Sequence, residues 1–163
     1  MKSLIVLFVV AVSVCHGQTG PIVAKSGQSA LLSENGTTIE KTYSITITVR
    51  NIRNNKGVIR FKFFDDSKQF PHDTGFLKEV VSKSNMTGDS LHMTYHGFKS
   101  QHMAIALLDD ENNNVKLDFG WFFPKEGHAF SDYYHSSLRR PVYKDFAFQL
   151  TGDKHVVMKM RYY

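Results

Sequence analysis

The sequence predicts an antiparallel β-sandwich of about seven strands, built without disulfides. Three observations point there. Short runs of apolar–polar alternation recur along the chain, divided by turn residues, and no long helical period interrupts them. Cys15 is the only cysteine, and it lies in an apolar leader. Thirteen Phe residues offer an aromatic core where a small exported domain would otherwise depend on cross-links.

Residues 1–17 read as a secretory signal peptide. Lys2 supplies the positive charge, Leu4–Val14 the apolar run, and Cys15 and Gly17 the small residues before cleavage at Gln18. A membrane span needs roughly 20 apolar residues, so this run is too short to serve as one. A bacterial lipoprotein needs a small residue before its cysteine, and Val14 stands there instead. The expected location is therefore secreted and extracellular, with no membrane span. Residues 18–40 are rich in Gly, Ser, Thr and Gln and read as a flexible leader. Residues 41–163 form the expected β-sandwich domain.

Tyr43, Ile45, Ile47 and Val49 alternate with Ser44, Thr46, Thr48 and Arg50, a half-buried strand. Asn54-Asn55-Lys56-Gly57 supplies turn chemistry, since Asn and Gly tolerate positive φ. Val58–Phe64 is the next strand, and Asp65–Gly75 a loop closed by Phe70-Pro71. Phe76–Ser82 suits either a short helix or an irregular strand. Leu91, Met93 and Tyr95 alternate with His92, Thr94 and His96. Met103–Leu108 is apolar on both faces and reads as a central strand. Asp145–Leu150 is expected to place Phe146, Phe148 and Leu150 on one face. After a turn at Thr151–Lys154, Val156, Met158, Met160 and Tyr162 form the buried side of the last strand.

Between these strands lie DENNNVKLD (110–118), FPKEGHAFS (123–131) and PVYKDFAF (141–148). In this order they resemble the domain of unknown function 2141 family of exported, mostly bacterial proteins, whose pattern is close to HDENGNGKLD, GIPKEGYGFSNN and PSFDDAAF. The resemblance spans about Ile45–Tyr162. It implies a transthyretin-like or immunoglobulin-like sandwich and an exported location, and it implies no assigned reaction. This chain departs from the pattern at Asn113 and Val115, where the family has Gly, and at Asp109, where it has His. Phe98–Ala104 also lacks the family's Pro-Gly turn. Val at a glycine position is costly if the loop keeps its positive φ.

The acidic loop is the first candidate site. Asp110, Asn112, Asn114 and Asp118 occupy the first, third, fifth and ninth places of a calcium-loop pattern, and Lys116 could lend its carbonyl at the seventh. Val115 stands where such a loop wants Gly, and Trp121 where it wants a bidentate Glu. Asp109, Glu111 or Glu126 could substitute. The preferred alternative is a loop capped by its own Asp and Asn side chains. Ca2+ is the one cofactor the sequence suggests.

His92 and His96 lie about 13 Å apart at strand rise, too far to share an ion, with His102 near them in sequence. Ser131, Asp132 and His135 supply the residue types of a hydrolase without a nucleophile elbow, and Glu126 with Asp132 is a conceivable carboxylate pair. Pro124-Lys125-Glu126-Gly127 reads as a rigid turn. Trp121, Phe122, Phe123 and Phe130 around it read as core or end-cap. Asn35-Gly36-Thr37 and Asn85-Met86-Thr87 are glycosylation acceptors in a eukaryotic host.

The net charge is +5, with both signs interspersed and no basic helix. That favours a solvated surface and leaves room for anionic glycans or lipid head groups; without a basic helix or Arg-rich run, and with export expected, no nucleic-acid partner is expected. The expected function is a secreted, non-enzymatic binding or extracellular-matrix module. Its ligand would be a protein, a glycan or a mineral surface. The alternatives are a calcium-stabilised adhesion module using the Asp109–Asp118 loop, and a small hydrolase.

Overall fold

A computed structural model describes residues 31–32, 38–72, 75–118, 124–137 and 139–163. The signal peptide, the Asn35 sequon and Trp121–Phe123 lie outside the described residues. Two short strands, β1 (Leu31–Leu32) and β2 (Thr38–Ile39), pair antiparallel within the segment expected to be a leader. The domain itself contains β3 (Tyr43–Arg50), β4 (Val58–Phe64), β5 (Leu77–Ser82), β6 (Leu91–Phe98) and β7 (Gln101–Asp110), then β8 (Gly127–Phe130), β9 (Ala147–Leu150) and β10 (Lys154–Lys159).

These eight strands form two sheets, as a sandwich requires. One runs β10-β3-β6; the other runs β5-β4-β7, with β8 and β9 both paired to the far side of β7. Phe76–Ser82, ambiguous in sequence, resolves as β5, held antiparallel to β4 from Val58↔Ser82 to Phe63↔Leu77. The sequence carries no strand pattern at β8. Its four residues follow the Pro124–Gly127 turn and pair with Ala106–Asp109.

One strand direction differs from the antiparallel expectation. β10 runs parallel to β3, from Lys154↔Ile45 to Lys159↔Arg50. Apolar–polar alternation is satisfied by either direction, so it cannot choose between them. The turn at Thr151–Asp153 decides it, because it carries the chain from β9 in one sheet to β10 in the other.

The inward faces meet as the alternation demands. Ile45, Ile47 and Val49 of β3 are fully buried against Ile59, Phe61 and Phe63 of β4 and Met103 and Ile105 of β7. Phe63 joins the sheets by stacking on Phe98, with ring centroids 5.8 Å apart, and by an edge contact with Tyr95. Each such side chain contributes about 1.5–3 kcal/mol on burial. In β6 the pairing slips near His96 and Gly97, where Gly97 takes φ 86 in a bulge that a glycine accommodates without strain.

A second, smaller core covers the outer face of the five-stranded sheet. Phe64, Phe130, Tyr143 and Phe146 are buried there. Phe70 folds back from the 65–76 loop to meet Phe146 at 5.0 Å and Phe64 at 5.5 Å between centroids. This corrects the expected alignment of Phe146 with Phe148 and Leu150. Residues Tyr143–Asp145 form a 3-10 turn, so strand alternation begins only at Ala147 and Phe146 belongs to the opposite face. Phe130, expected in the core or as an end-cap, is packed in this second core.

Because β8 and β9 share one side of β7, that edge has a gap at Ile105. Ser131 fills it. Its amide donates to the Ile105 carbonyl at 2.9 Å, and its hydroxyl accepts from the Ile105 amide at 3.0 Å. The same hydroxyl donates to the Phe146 carbonyl at 2.6 Å. Just beyond, the Asp132 amide donates to the Val157 carbonyl and the Asp132 carboxylate accepts from the Val157 amide, at 3.1 and 2.8 Å. His128 and Arg161 exchange a further pair of backbone bonds. The free edge of β10 is thus tied to the opposite sheet. Ser131→Ala should strand two buried backbone groups and lower stability by about 2 kcal/mol. Urea unfolding should show an earlier midpoint at unchanged slope; an unmoved midpoint would mean the hydroxyl does not hold the gap.

Candidate functional site

The central strand β7 ends in two consecutive buried carboxylates, Asp109 and Asp110. Strand alternation sends them to opposite faces. Asp109 continues the inward row of Met103, Ile105 and Leu107. Asp110 points outward to the acidic loop.

Asp109 meets Lys83 and Tyr162. Lys83 Nζ pairs with Asp109 Oδ1, and both side chains are wholly shielded from solvent. The Tyr162 hydroxyl donates to Oδ2 at 2.7 Å. Lys83 opens the 3-10 turn Lys83–Asn85 after β5, where the Ser82 hydroxyl caps the Ser84 amide. Tyr162 reaches Asp109 by crossing Gly127, where any Cβ would lie 2.3 Å from its ring. The Arg53 guanidinium sits over that ring at 4.5 Å and grips Glu111 through Nε at 2.5 Å and a second nitrogen at 2.9 Å. Burial pushes the Asp109 carboxyl above its ordinary value, further than its bonds to Lys83 and Tyr162 draw it down. Burial, then the bond to Asp109, likewise raises the Tyr162 hydroxyl. Glu111 is held low, chiefly by Arg53.

Asp110 is committed in another way. Its carboxylate accepts from Arg60 Nε at 2.5 Å and from the amides of Asn114 and Val115, each at 3.0 Å. Burial alone would raise this carboxyl; Arg60 and the amides outweigh burial and hold it below its ordinary value. The side-chain amides of Asn112 and Asn114 both donate to Asp118, at 2.6 and 3.0 Å. Their own oxygens accept from the amides of Asn114 and Lys116. The structure therefore gathers Asp110, Asn112, Asn114 and Asp118 in one loop, with their oxygens turned on the loop's own amides and on Arg60. Among the described residues, no three of His, Cys, Asp and Glu are grouped to hold a metal ion. Glu126 closes the loop by accepting from the Asp118 amide at 3.2 Å. It is buried, and its Oε1 has no hydrogen-bond partner among the described residues. Burial raises its carboxyl despite the Asp118 amide, and the charges of Asp110 and Asp118 add to the rise.

The other candidates fall into separate places. His92 and His96 lie on the outer face of the three-stranded sheet, bonded to Thr48 and Ser44. His102 is on the other sheet, with Tyr143. His155, which strand spacing could not bring forward, joins His92 across β3: both imidazoles meet the Thr48 hydroxyl, at 2.8 and 3.1 Å. Ser131 serves the β7 gap, Asp132 binds Val157 and Lys154, and His135 bonds Tyr133. Glu126 and Asp132 likewise sit in different hydrogen-bond sets. Asn85 is exposed at the end of its 3-10 turn.

A family model described as "Uncharacterized protein conserved in bacteria (DUF2141)" matches residues 47–158, from the heart of β3 to the end of β10. The chain belongs to the DUF2141 family. No curated protein and no solved structure matches it significantly. The acidic loop of this DUF2141 member departs from the motif that the sequence resembles. At the two positions where the motif it resembles has glycine, Asn113 takes φ 55 and Val115 takes φ 71. Both lie in the left-handed region that glycine tolerates best, although Val115 is β-branched. The bonds from the consecutive Asn114 and Val115 amides to the Asp110 carboxylate hold it there. Left-handed geometry costs an L-residue roughly 1–2 kcal/mol, and Val115 gains nothing in exchange, being 67% exposed. Val115→Gly should therefore stabilise the domain by about 0.5–1 kcal/mol after the flexibility gained by the unfolded chain. A higher melting temperature is the expected readout; a lower one would show that the Val side chain itself matters.

Proposed function

We propose that the protein is an exported binding module whose ligand is an anionic polymer, taken on the outer face of the three-stranded sheet. The observation that carries this reading is the register of β10 on β3. It sets Lys159 beside Arg50, both exposed on the same face. Like charges side by side on a sheet repel, so keeping them there lowers stability unless a partner neutralises them. Lys159 is braced over the exposed Tyr134 ring at 5.1 Å. The next rows carry His155, His92, Thr46 and Thr94, which offer hydrogen bonds to sulfate, carboxylate or sugar hydroxyls. A flat face of this kind suits an extended chain better than a small molecule. Export rests on the residue 1–17 leader, and non-enzymatic action on the structural employment of Ser131, Asp132 and His135.

The test is retention on immobilised dextran sulfate, with neutral dextran as control. Retention should fall with rising salt. It should drop at least tenfold in the double variant Arg50→Glu, Lys159→Glu. Equal retention by the variant, or equal retention on neutral dextran, would overturn the reading.

The calcium reading draws on a different observation, the buried and unpartnered Glu126 Oε1 beside Asp110 and Asp118. Against it, an ion would have to displace Arg60 and two amides from Asp110. The expected result is one melting temperature in millimolar calcium and in chelator. Binding at ~100 times the dissociation constant would add about 2.7 kcal/mol, and such a rise, lost in Asp118→Asn, would establish the metal instead.

A further inference from the structure

We propose that Lys83 and Asp109 condense into an intramolecular isopeptide bond, formed by the folded chain without an external enzyme. Both side chains are fully shielded, and their contact is direct. Beyond that contact, neither Lys83 Nζ nor Asp109 Oδ1 has a hydrogen-bond partner among the described residues. That pattern suits an ion pair poorly. A buried ammonium needs acceptors for three N–H groups, and an unsupported buried charge is costly. It suits condensation well, because an amide keeps one N–H and sheds one carboxyl oxygen.

The two carboxyl oxygens are already distinguished. Oδ2, held by the Tyr162 hydroxyl at 2.7 Å, is the oxygen an amide would keep. Oδ1, which faces only the lysine nitrogen, is the oxygen that would leave. Burial favours the uncharged acid at Asp109. A proton passed from the ammonium to the carboxylate gives a neutral amine beside a neutral acid. The amine nitrogen attacks Cγ, forming the C–N bond. Negative charge develops on Oδ2, where the Tyr162 hydroxyl stabilises it. One nitrogen proton moves to the Oδ1 hydroxyl, the Cγ–Oδ1 bond breaks, and water departs. No oxidant, reductant or co-reactant is required. The product ties the turn after β5 to the end of β7, two strands separated by β4. It gives a cysteine-free mature domain a covalent clamp across its core.

Peptide mapping of the full chain, produced in bacteria so that Asn85 stays bare, tests this directly. After unfolding and trypsin, the expected product is a branched peptide joining residues 79–99 to residues 100–116, lighter than its parts by one water. Free linear peptides 79–83 and 100–116 at full yield would overturn the proposal. Lys83→Arg should give only the linear 100–116 peptide, folded or not. Tyr162→Phe keeps the ring and removes the donor. Starting from never-folded chain recovered from inclusion bodies, in which the bond has not yet formed, this variant should accumulate the branched peptide at least tenfold more slowly on folding, and an unchanged rate would remove Tyr162 from the reaction.

Discussion

A carboxyl group stands at a core-facing position of the central strand, and much of the molecule is arranged around it. Asp109 occupies the place in the inward row of β7 where Met103, Ile105 and Leu107 would call for another apolar side chain. An unpaired carboxylate there would cost several kcal/mol. The fold answers with two groups from remote parts of the chain. Lys83 comes from the turn after β5, and Tyr162 from beyond β10, across the cleft left by Gly127. Arg53 then braces Tyr162 and Glu111. One residue thus fixes the crossover from β5 to β6, the path of the C-terminus and the turn leaving β3.

The neighbouring Asp110 performs the same task for the outer face. Its bonds to Arg60 and to the Asn114 and Val115 amides fold the acidic loop back on the sheet. The loop therefore holds a left-handed backbone with a valine in it. Adjacent residues of one strand control two different regions because alternation points them apart. At the other side of the sandwich, Ser131 fills the gap along β7 and Asp132 joins the two sheets, each with a side-chain atom acting in place of backbone. These polar joints, with the second aromatic core around Phe70, Phe130 and Phe146, explain how a domain of this size closes without disulfides.

Legibility in the sequence followed the physics of each element. β3, β4 and β6 were plain because one buried face and one exposed face leave a period of two. β5 was obscure because Val80 and Val81 interrupt that period, and only its pairing with β4 resolves it. β8 was hidden in a segment whose Phe, His and Gly residues serve packing and a joint rather than alternation. Hydrogen bonds draw Asp110, Asn112, Asn114 and Asp118 into one loop, yet their spacing in the sequence fits both an ion and a self-capped turn. Arg60, 50 residues away in sequence, is what commits Asp110. The sequence signal for Asp109 is its place at the end of an inward apolar row, where a carboxylate must find a buried partner.

The sequence alone determined the all-β class, the sandwich, the family and the strands that build the core, since alternation and turn chemistry act over a few residues. Tertiary structure decided the parallel direction of β10, the face taken by Phe146, the partners of Asp109 and the meeting of His92 with His155. Each of these joins residues far apart in the chain. Local pattern leaves their pairing open, and it is fixed only by how the two sheets pack and which groups must be satisfied between them.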